Sequence, residues 1–179
     1  MGEIQMLIED IYEKHFDDVY HYLLYFTNSR AESEDLAQET FIKVMEHYPS
    51  FRRNSSLKTW ILAIARRTAI DSYRKKKLIS LLPGLLGSLQ KSSDYTPEEY
   101  TDRSSDWMIL QKALGRLTPN YRNVVILRGL KEYSVRDTAS ILGWKESKVK
   151  VDYHRALKQL QKYLGKTNEG VVILSEQKN

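Results

Sequence analysis

Apolar residues recur at intervals of three and four through the first part of the chain, the period of an amphipathic helix. The pattern predicts one helix or a helix pair over residues 4–24, and then a second helix that ends before Pro49. A third helix is predicted to begin after Ser55 or Ser56, either of which can cap it, and to end in the lysine run 75–77.

The same period returns near residue 107 and continues almost to the end of the chain. An apolar stripe over residues 107–117 predicts a helix, and Thr118 followed by Pro119 is typical of the start of another. A short helix is then predicted to end at Gly143, and a longer one to run over residues 145–164.

These elements predict an all-α fold of two small helical domains joined by a flexible linker, with a helix-turn-helix in the C-terminal domain. Between the domains, proline, glycine and serine interrupt the periodicity, although residues 78–90 are unusually apolar for a linker. Only residues 171–174 have the composition of a strand. The predicted boundaries are 1–77 and 107–165 for the domains, 78–106 for the linker and 166–179 for the tail.

The helix-turn-helix prediction covers roughly Ser134 to Leu164. This motif needs a small residue where its helices cross, a glycine in the turn and an apolar anchor on the second helix, and Ala139, Gly143 and Val149 have that spacing. The second helix of such a motif enters the major groove with its N-terminal half. The candidate DNA-reading residues there are Ser147, Lys148, Lys150, Val151, Asp152, His154 and Arg155.

Two points about this motif stay open at the level of sequence. Asp152 could accept a hydrogen bond from a cytosine amino group, or it could pair with a neighbouring lysine. The whole segment could also be an ordinary helical hairpin with a basic face.

Charge is distributed unevenly along the chain, whose net charge is +5. Residues 1–50 have a net charge of −8, residues 51–77 of +8 and residues 108–166 of +9. Two basic blocks behind an acidic segment suggest two separate contacts with a polyanion, although solvated helix faces would give the same composition.

Other features narrow the class of protein. The chain contains no cysteine, which excludes disulfides and thiolate metal sites and fits a reducing cytoplasm. No signal peptide, membrane-spanning run, phosphate-binding glycine loop or catalytic constellation is recognisable, so we expect a cytoplasmic protein without cofactor, metal or enzymatic activity.

Several motifs resemble the extracytoplasmic-function (ECF) sigma factors, the small initiation subunits of bacterial RNA polymerase. The resemblance lies in DLAQETFIKV at 35–44, WILAIAR at 60–66, AIDSYRK at 69–75 and LTPNYRNVVILR at 117–128. It covers roughly residues 5–77 and 107–164 in order. The segment 146–150 and the tyrosine-rich first helix look most like the envelope-stress members of Bacillus-like bacteria.

The resemblance implies binding to core RNA polymerase and to promoter DNA. The second helix would bind the β′ clamp coiled coil, and the C-terminal domain would contact the β flap and read the −35 element. The positions implied for core-polymerase binding are Asp35, Gln38, Glu39, Phe41 and Met45. An acidic face with an apolar ridge suits a basic protein partner and would be repelled by DNA.

The loop after the second helix, together with the third helix, would hold the unpaired strand of the −10 element. Melted DNA exposes bases that need stacking surfaces and phosphates that need cations. The candidates are Phe51, Arg52, Arg53, Asn54, Ser55, Lys58, Trp60, Arg66, Arg67, Tyr73, Arg74 and Lys75. Trp60 could instead be a core residue. Arg67 stands where many relatives carry asparagine, so a phosphate contact is more natural there than a base contact.

The resemblance also implies an anti-sigma partner, in many relatives membrane-anchored, which would cover apolar surfaces. The linker of 29 residues can span at most ~95 Å, more than the roughly 70 Å between elements two duplex turns apart. Two alternatives remain: a one-component regulator that binds duplex DNA without polymerase, and a helical adaptor whose basic faces bind RNA or an acidic protein.

Overall fold

The computed structural model describes residues 2–81 and 105–165, with side chains from residue 9 onward. The chain divides into two compact units, the first containing α1–α3 and the second containing α4, α5, α7 and the start of α6. All regular elements of the described ranges are helical, which confirms the all-α prediction. The candidate strand at 171–174 lies outside the described residues.

The first unit is built from three helices that all contact one another. Helix α1 spans Gly2–Thr27, α2 spans Arg30–His47 and α3 spans Leu57–Ser80, with a short 3₁₀ turn over Tyr48–Ser50. The pattern left open one helix or two at the start of the chain, and the structure has one. The core consists of fully buried side chains from all three helices, among them Tyr22, Leu23, Val44, Ile61 and Leu62.

Side-chain caps fix where α2 and α3 begin. The backbone N–H of Glu32 donates to Ser29 Oγ over 3.3 Å, and the N–H of Thr59 donates to Ser56 Oγ over 3.1 Å. Each bond satisfies one of the N–H groups that a helix start leaves without a partner. Ser56, rather than Ser55, is therefore the cap of α3.

Polar contacts connect α3 to its neighbours at both ends. Near its start, Lys58 Nζ lies 2.6 Å from Asp18 Oδ2 of α1. Near its end, Glu32 of α2 accepts from Ser72 Oγ at 3.0 Å and pairs with Lys76 Nζ at 2.6 Å. These contacts fix the long axis of α3 against α1 and α2, and so fix the direction of its exposed face.

Helix α3 continues beyond the predicted boundary at residue 77 and ends at Ser80, capped by Leu81. The lysine run does not end the helix, because Leu78 and Ile79 are compatible with helical backbone. The first strong helix breaker after the start of α3 is Pro83. Leu78 and Leu81 are 62% and 66% exposed, so α3 ends in an apolar surface.

The second unit comprises α4 over Ser105–Gly115, α5 over Pro119–Val125, the start of α6, a helix that spans Val135–Leu142, and α7 over Glu146–Leu164. Between α5 and α6 the chain makes a π-helical turn over Ile126–Leu130. As predicted, Thr118 caps α5 with Pro119 in the first turn, its Oγ1 accepting from the N–H of Tyr121. Leu114, Leu127, Leu160 and other apolar side chains form the core.

Arg122 is a buried cation that caps the C-terminal end of α4. Its guanidinium donates to the carbonyl oxygens of Leu114 at 3.0 Å, Gly115 at 2.8 Å and Leu117 at 3.3 Å. The last carbonyls of a helix have no partner within it, so this side chain replaces water in an otherwise apolar environment. The periodicity of the sequence gave no sign of this role.

The turn between α6 and α7 has the features expected of a helix-turn-helix. Ser134 Oγ accepts from the N–H of Asp137 at 3.0 Å at the start of α6. Gly143 has φ +66, in the left-handed region that favours glycine, and Val149 is fully buried. The predicted crossing residue Ala139 is also buried.

Candidate nucleic-acid and protein interfaces

One exposed face of α2 is acidic with an apolar ridge. Asp35, Gln38 and Glu39 are exposed, and Met45 is 42% exposed. Ile42, which was not among the candidates, is the most exposed of the large apolar side chains on this helix, at 52%. Because residues three or four apart share a helix face, these five side chains form one continuous strip.

Phe41 lies beneath this strip and is buried, 5% exposed. Its ring centroid is 4.9 Å from that of Tyr12 and 6.2 Å from that of Phe16, both on α1. Tyr12 is itself 41% exposed, so the apolar surface continues from α2 onto α1. A small apolar cavity lies at this junction, between Tyr12 and Met45.

The loop before α3 carries the exposed residues Arg52, Arg53 and Asn54, with Ser55 half-buried. Arg53 has φ 55, a conformation that few side chains adopt without surrounding support. Next to these polar groups, Phe51 lies against Trp60, with ring centroids 4.9 Å apart and planes inclined at 36°. The loop therefore places exposed cations beside an aromatic pair that it shares with α3.

Trp60 is half-buried, and its face of α3 continues along the helix at spacings of seven. Arg67 and Arg74 follow it there, and both are exposed. Trp60 is thus neither a pure core residue nor a free surface residue. One aromatic ring and two guanidinium groups therefore lie on this face, each about two helical turns from the next.

The remaining candidates on α3 differ in their surroundings. Lys75 is exposed, whereas Lys58 is paired with Asp18. Arg66 is half-buried, and its Nε has no hydrogen-bond partner among the described residues. Tyr73 is half-buried and makes an edge-on contact with Phe26, 6.5 Å between centroids. The cationic candidates are therefore not equally available to a ligand.

The N-terminal half of α7 presents the other exposed face. Ser147, Val151 and His154 lie along its middle at spacings of four and three, and Val151 is 47% exposed. Lys150 and Arg155 are exposed on either side. A valine at the centre of a polar surface offers an apolar contact, such as the C5-methyl group of thymine would require.

The prediction that Asp152 belongs to this exposed surface is wrong. Asp152 is 7% exposed and pairs with Lys148, one turn earlier on α7. The Nζ of Lys148 also lies 4.1 Å from the ring centroid of Trp144 in the turn. Of the two alternatives that the sequence left open for Asp152, the structure shows the pair with a neighbouring lysine. Asp152 points toward the interior, and the i, i+4 spacing places Lys148 within reach.

On its other side, α7 packs against the π-helical turn. The guanidinium of Arg128 lies 5.6 Å from the ring centroid of Tyr153 and donates to the carbonyl of Tyr133. Burial raises the pKa of the Tyr153 hydroxyl above its usual value, and the charge of Arg128 opposes that effect. A β-carbon at Gly129 would lie 3.3 Å from this hydroxyl, so the glycine permits the close approach.

Within the described ranges, no three histidine or acidic side chains group together as metal ligands would. None of the described helices combines the length and the apolar character needed to cross a membrane. The candidate surfaces are thus two basic faces and one acidic face on a helical scaffold.

Comparisons with known proteins agree with this arrangement. Residues 11–79 match the family described as Sigma-70 region 2, and residues 107–160 match Sigma-70, region 4. The ECF RNA polymerase sigma factor SigX of Bacillus subtilis is 36% identical over 86% of this chain and 81% of its own length. The chain belongs to the ECF sigma factors. It is a promoter-recognising initiation factor, and the regulator and adaptor alternatives are set aside.

Other relatives of this sigma factor support the assignment. RNA polymerase sigma factor YlaC of Bacillus subtilis is 36% identical over 90% of this chain and 94% of its own. The sigma factor RpoE, solved in complex with the anti-sigma factor NepR from Bartonella quintana, has a TM-score of 0.69 at 24% identity, covering 88% of this chain and 96% of that one. CnrH, solved with the cytosolic domain of CnrY, gives 0.68 at 18% identity, covering 91% and 90%. These two structures share the fold.

The structure brings most of the sigma factor's predicted site residues together on three surfaces. It adds Ile42 and Tyr12 to the acidic face and Trp144 to the turn before α7. The signal that could have found Ile42 is its spacing of three from Glu39 and Met45. Trp144 lies between α6 and α7, outside both helices, so helical periodicity gave no signal for it.

Proposed function

We propose that the three surfaces of this sigma factor have separate tasks in promoter recognition. The α2 face binds core RNA polymerase, the loop at 51–56 with α3 holds the unpaired −10 strand, and α7 reads the −35 element. The main support for the proposal is that acidic and basic side chains occupy different exposed helix faces. Carboxylates dominate the exposed side of α2, and cations dominate the exposed sides of α3 and α7.

The α2 face suits a protein partner for electrostatic and hydrophobic reasons. Asp35 and Glu39 would repel DNA and attract a basic coiled coil such as that of the β′ clamp. Ile42 and Met45 supply exposed apolar area at the C-terminal end of the acidic strip, and a protein interface needs such area in its buried part. Phe41 supports the strip from below through its contacts with α1.

The loop and α3 suit single-stranded DNA. The Phe51–Trp60 pair offers a stacking surface to an extruded base, and Arg52 and Arg53 are placed beside it for phosphates. Asn54 and Ser55 can donate to and accept from a base edge within the same loop. Arg67, Arg74 and Lys75 continue the cationic track along α3 toward duplex DNA.

The start of α7 suits the major groove. Lys150 and Arg155 can reach phosphates or guanine edges, while Ser147, Val151 and His154 face the base pairs between them. The C-terminal unit would also contact the β flap of the polymerase, so that the −35 contact is formed only in the assembled enzyme.

Reconstituted transcription tests the proposal. The purified chain is mixed with core polymerase from Bacillus subtilis and a promoter library in which two hexamers and their spacing are randomised. We expect initiation that depends on the added chain and selects two short elements. Arg155→Ala should weaken selection only at the upstream element, and Asp35→Lys with Glu39→Lys should abolish polymerase binding. Absence of chain-dependent initiation would sink the proposal.

We further propose that an anti-sigma factor holds this chain inactive in the cytoplasm until an envelope or other stress releases it. The support is the apolar end of α3, where Leu78 and Leu81 are largely exposed. The solved neighbours RpoE and CnrH are each in complex with a partner chain. Replacing both leucines by aspartate should raise transcription in unstressed cells and leave transcription by the purified enzyme unchanged. Equal activity of variant and parent in cells would contradict the proposal.

A further inference from the structure

Lys148 is held in place on two sides. Its ammonium group pairs with the carboxylate of Asp152, and it lies 4.1 Å from the ring centroid of Trp144. The two paired side chains are 46% and 10% exposed, so the lysine reaches solvent while its partner does not. A cation over an aromatic face is attracted by the negative face of the ring, and the contact restricts the lysine stem.

The other cations of the α7 face are arranged differently. Lys150 and Arg155 are exposed, and neither side chain makes a hydrogen bond or an ion pair with another described residue. A free lysine or arginine can follow the phosphate backbone wherever it runs, at the cost of its rotamer freedom. The rotamer of Lys148 is already restricted in the free protein by its contacts with Asp152 and Trp144.

The pairing changes what Lys148 can contribute to DNA binding. Asp152 neutralises its charge, so it adds little to the long-range attraction that phosphates supply through released counterions. An ammonium group has three N–H donors, and the pair with Asp152 uses one of them. The pair with Asp152 directs the donors that remain, and hydrogen bonds to base edges are the contacts that read sequence.

We infer that Lys148 is a specificity-determining residue of the −35 contact, positioned by Asp152 and Trp144 to donate to an acceptor on a base edge in the major groove. The acceptors of this chemistry are O6 and N7 of guanine and O4 of thymine. Asp152 is a positioning residue, which acts on the DNA only through Lys148. The inference rests on the proposed function of α7 and names which of its cations distinguishes bases.

The test uses polymerase holoenzyme reconstituted with the full chain and a set of promoters that carry every single base-pair substitution in the −35 element. Relative affinity for each promoter gives a base-preference profile, and its dependence on salt concentration gives the number of phosphate contacts. Lys148→Met keeps an unbranched side chain over Trp144 and removes the charge. We expect it to lose discrimination of about 10-fold at one or two base pairs.

Asp152→Asn keeps the shape of the buried side chain and releases Lys148. We expect reduced discrimination at the same base pairs, together with a salt dependence steeper by about one charge, because the freed ammonium now pairs with a phosphate. A purely structural role of Asp152 would lower the melting temperature without moving either quantity. The salt dependence therefore separates positioning from stability.

The double variant Lys148→Met with Asp152→Asn covers the case in which either single change fails to fold. It leaves no unpaired buried charge and keeps the net charge of the chain, so its salt dependence should equal that of the parent. Its base preference should match that of Lys148→Met. Lys162→Met, which removes an exposed lysine in the last turn of α7, is the matched control and should leave the profile unchanged.

The outcomes distinguish this inference from the proposal on which it rests. If Arg155→Ala alters selection at the −35 element but the Lys148 and Asp152 variants keep the parental profile, the role of Lys148 is wrong and that of α7 stands. If none of these changes alters the −35 profile, the assignment of α7 itself fails. Effects of the two single variants at different base pairs would also overturn the positioning role.

Discussion

Phe51 and Trp60 pack against one another across the junction between the 51–56 loop and α3, 4.9 Å between ring centroids. Phe51 also contacts Tyr48, 6.4 Å away, so the pair is anchored to the end of α2. Both rings of the pair remain half-buried rather than buried. A partly open aromatic surface beside two exposed arginines is the arrangement from which the −10 prediction follows.

Phe51→Ala should lower the yield of open promoter complexes by roughly 10-fold or more, because stacking of one base on an aromatic ring contributes about 1–3 kcal/mol. Permanganate reactivity of thymines in the −10 element measures the yield. Phe51→Tyr keeps the ring and should retain most of the activity. Equal melting by the alanine variant and the parent would show that no base stacks there.

Ile42→Ala should weaken the binding of core polymerase by about 10-fold, since each methylene group that the interface buries contributes about 0.8 kcal/mol. Binding is measured by fluorescence anisotropy of the labelled chain. Ile79→Ala provides the matched control, because Ile79 is also an exposed isoleucine, 37% exposed, but lies at the far end of α3. Loss of affinity in both variants alike would argue against a specific α2 contact.

Much of the fold could be predicted because several helix boundaries are set by local capping residues and by a turn glycine. Ser29, Ser56 and Thr118 each accept a hydrogen bond at a helix start, and Gly143 has the left-handed backbone expected of it. The predicted end of α3 was too early, because lysine is a good helix former and no breaker precedes Pro83. Local signals therefore placed the start of α3 correctly but not its end.

The surfaces were harder to predict because burial depends on tertiary contacts. A charged residue near the start of a recognition helix was expected to be exposed, but Asp152 is turned inward toward the partner that Lys148 provides. Arg122 is buried because its guanidinium donates to the carbonyls of Leu114 and Gly115 at the end of α4 and of Leu117 just beyond it, an arrangement that appears only when α4 and α5 are packed. Neither fact has a periodic signature in the sequence.

Gly143→Ala should destabilise the second unit by about 1 kcal/mol through backbone strain alone. Its φ is +66, yet an added β-carbon would meet no atom within 4 Å, so crowding makes no contribution. Gly143→Asn should cost less, because asparagine tolerates the left-handed region. Gly115→Ala is the control: it also meets no atom within 4 Å, and the backbone there is not left-handed. Urea unfolding of the four chains measures the differences, and an equal loss at both glycines would contradict the strain argument.

His15 should make the first unit less stable in mild acid. Burial lowers the pKa of its imidazole below 6.5, the charges of Lys14 and Lys58 lower it further, and Asp18 opposes them. Above pH 6.5 the histidine is neutral in both states and its effect is absent. As pH falls below 6.5, the unfolded chain takes up a proton that the folded chain does not, so the free energy of unfolding decreases until the lowered pKa is reached.

Replacing His15 by Gln should reduce the loss of stability between pH 7 and pH 5.5, measured by urea unfolding. His47→Gln, at an exposed position, should keep the parental loss. An unchanged pH dependence in the His15 variant would show that another group is responsible.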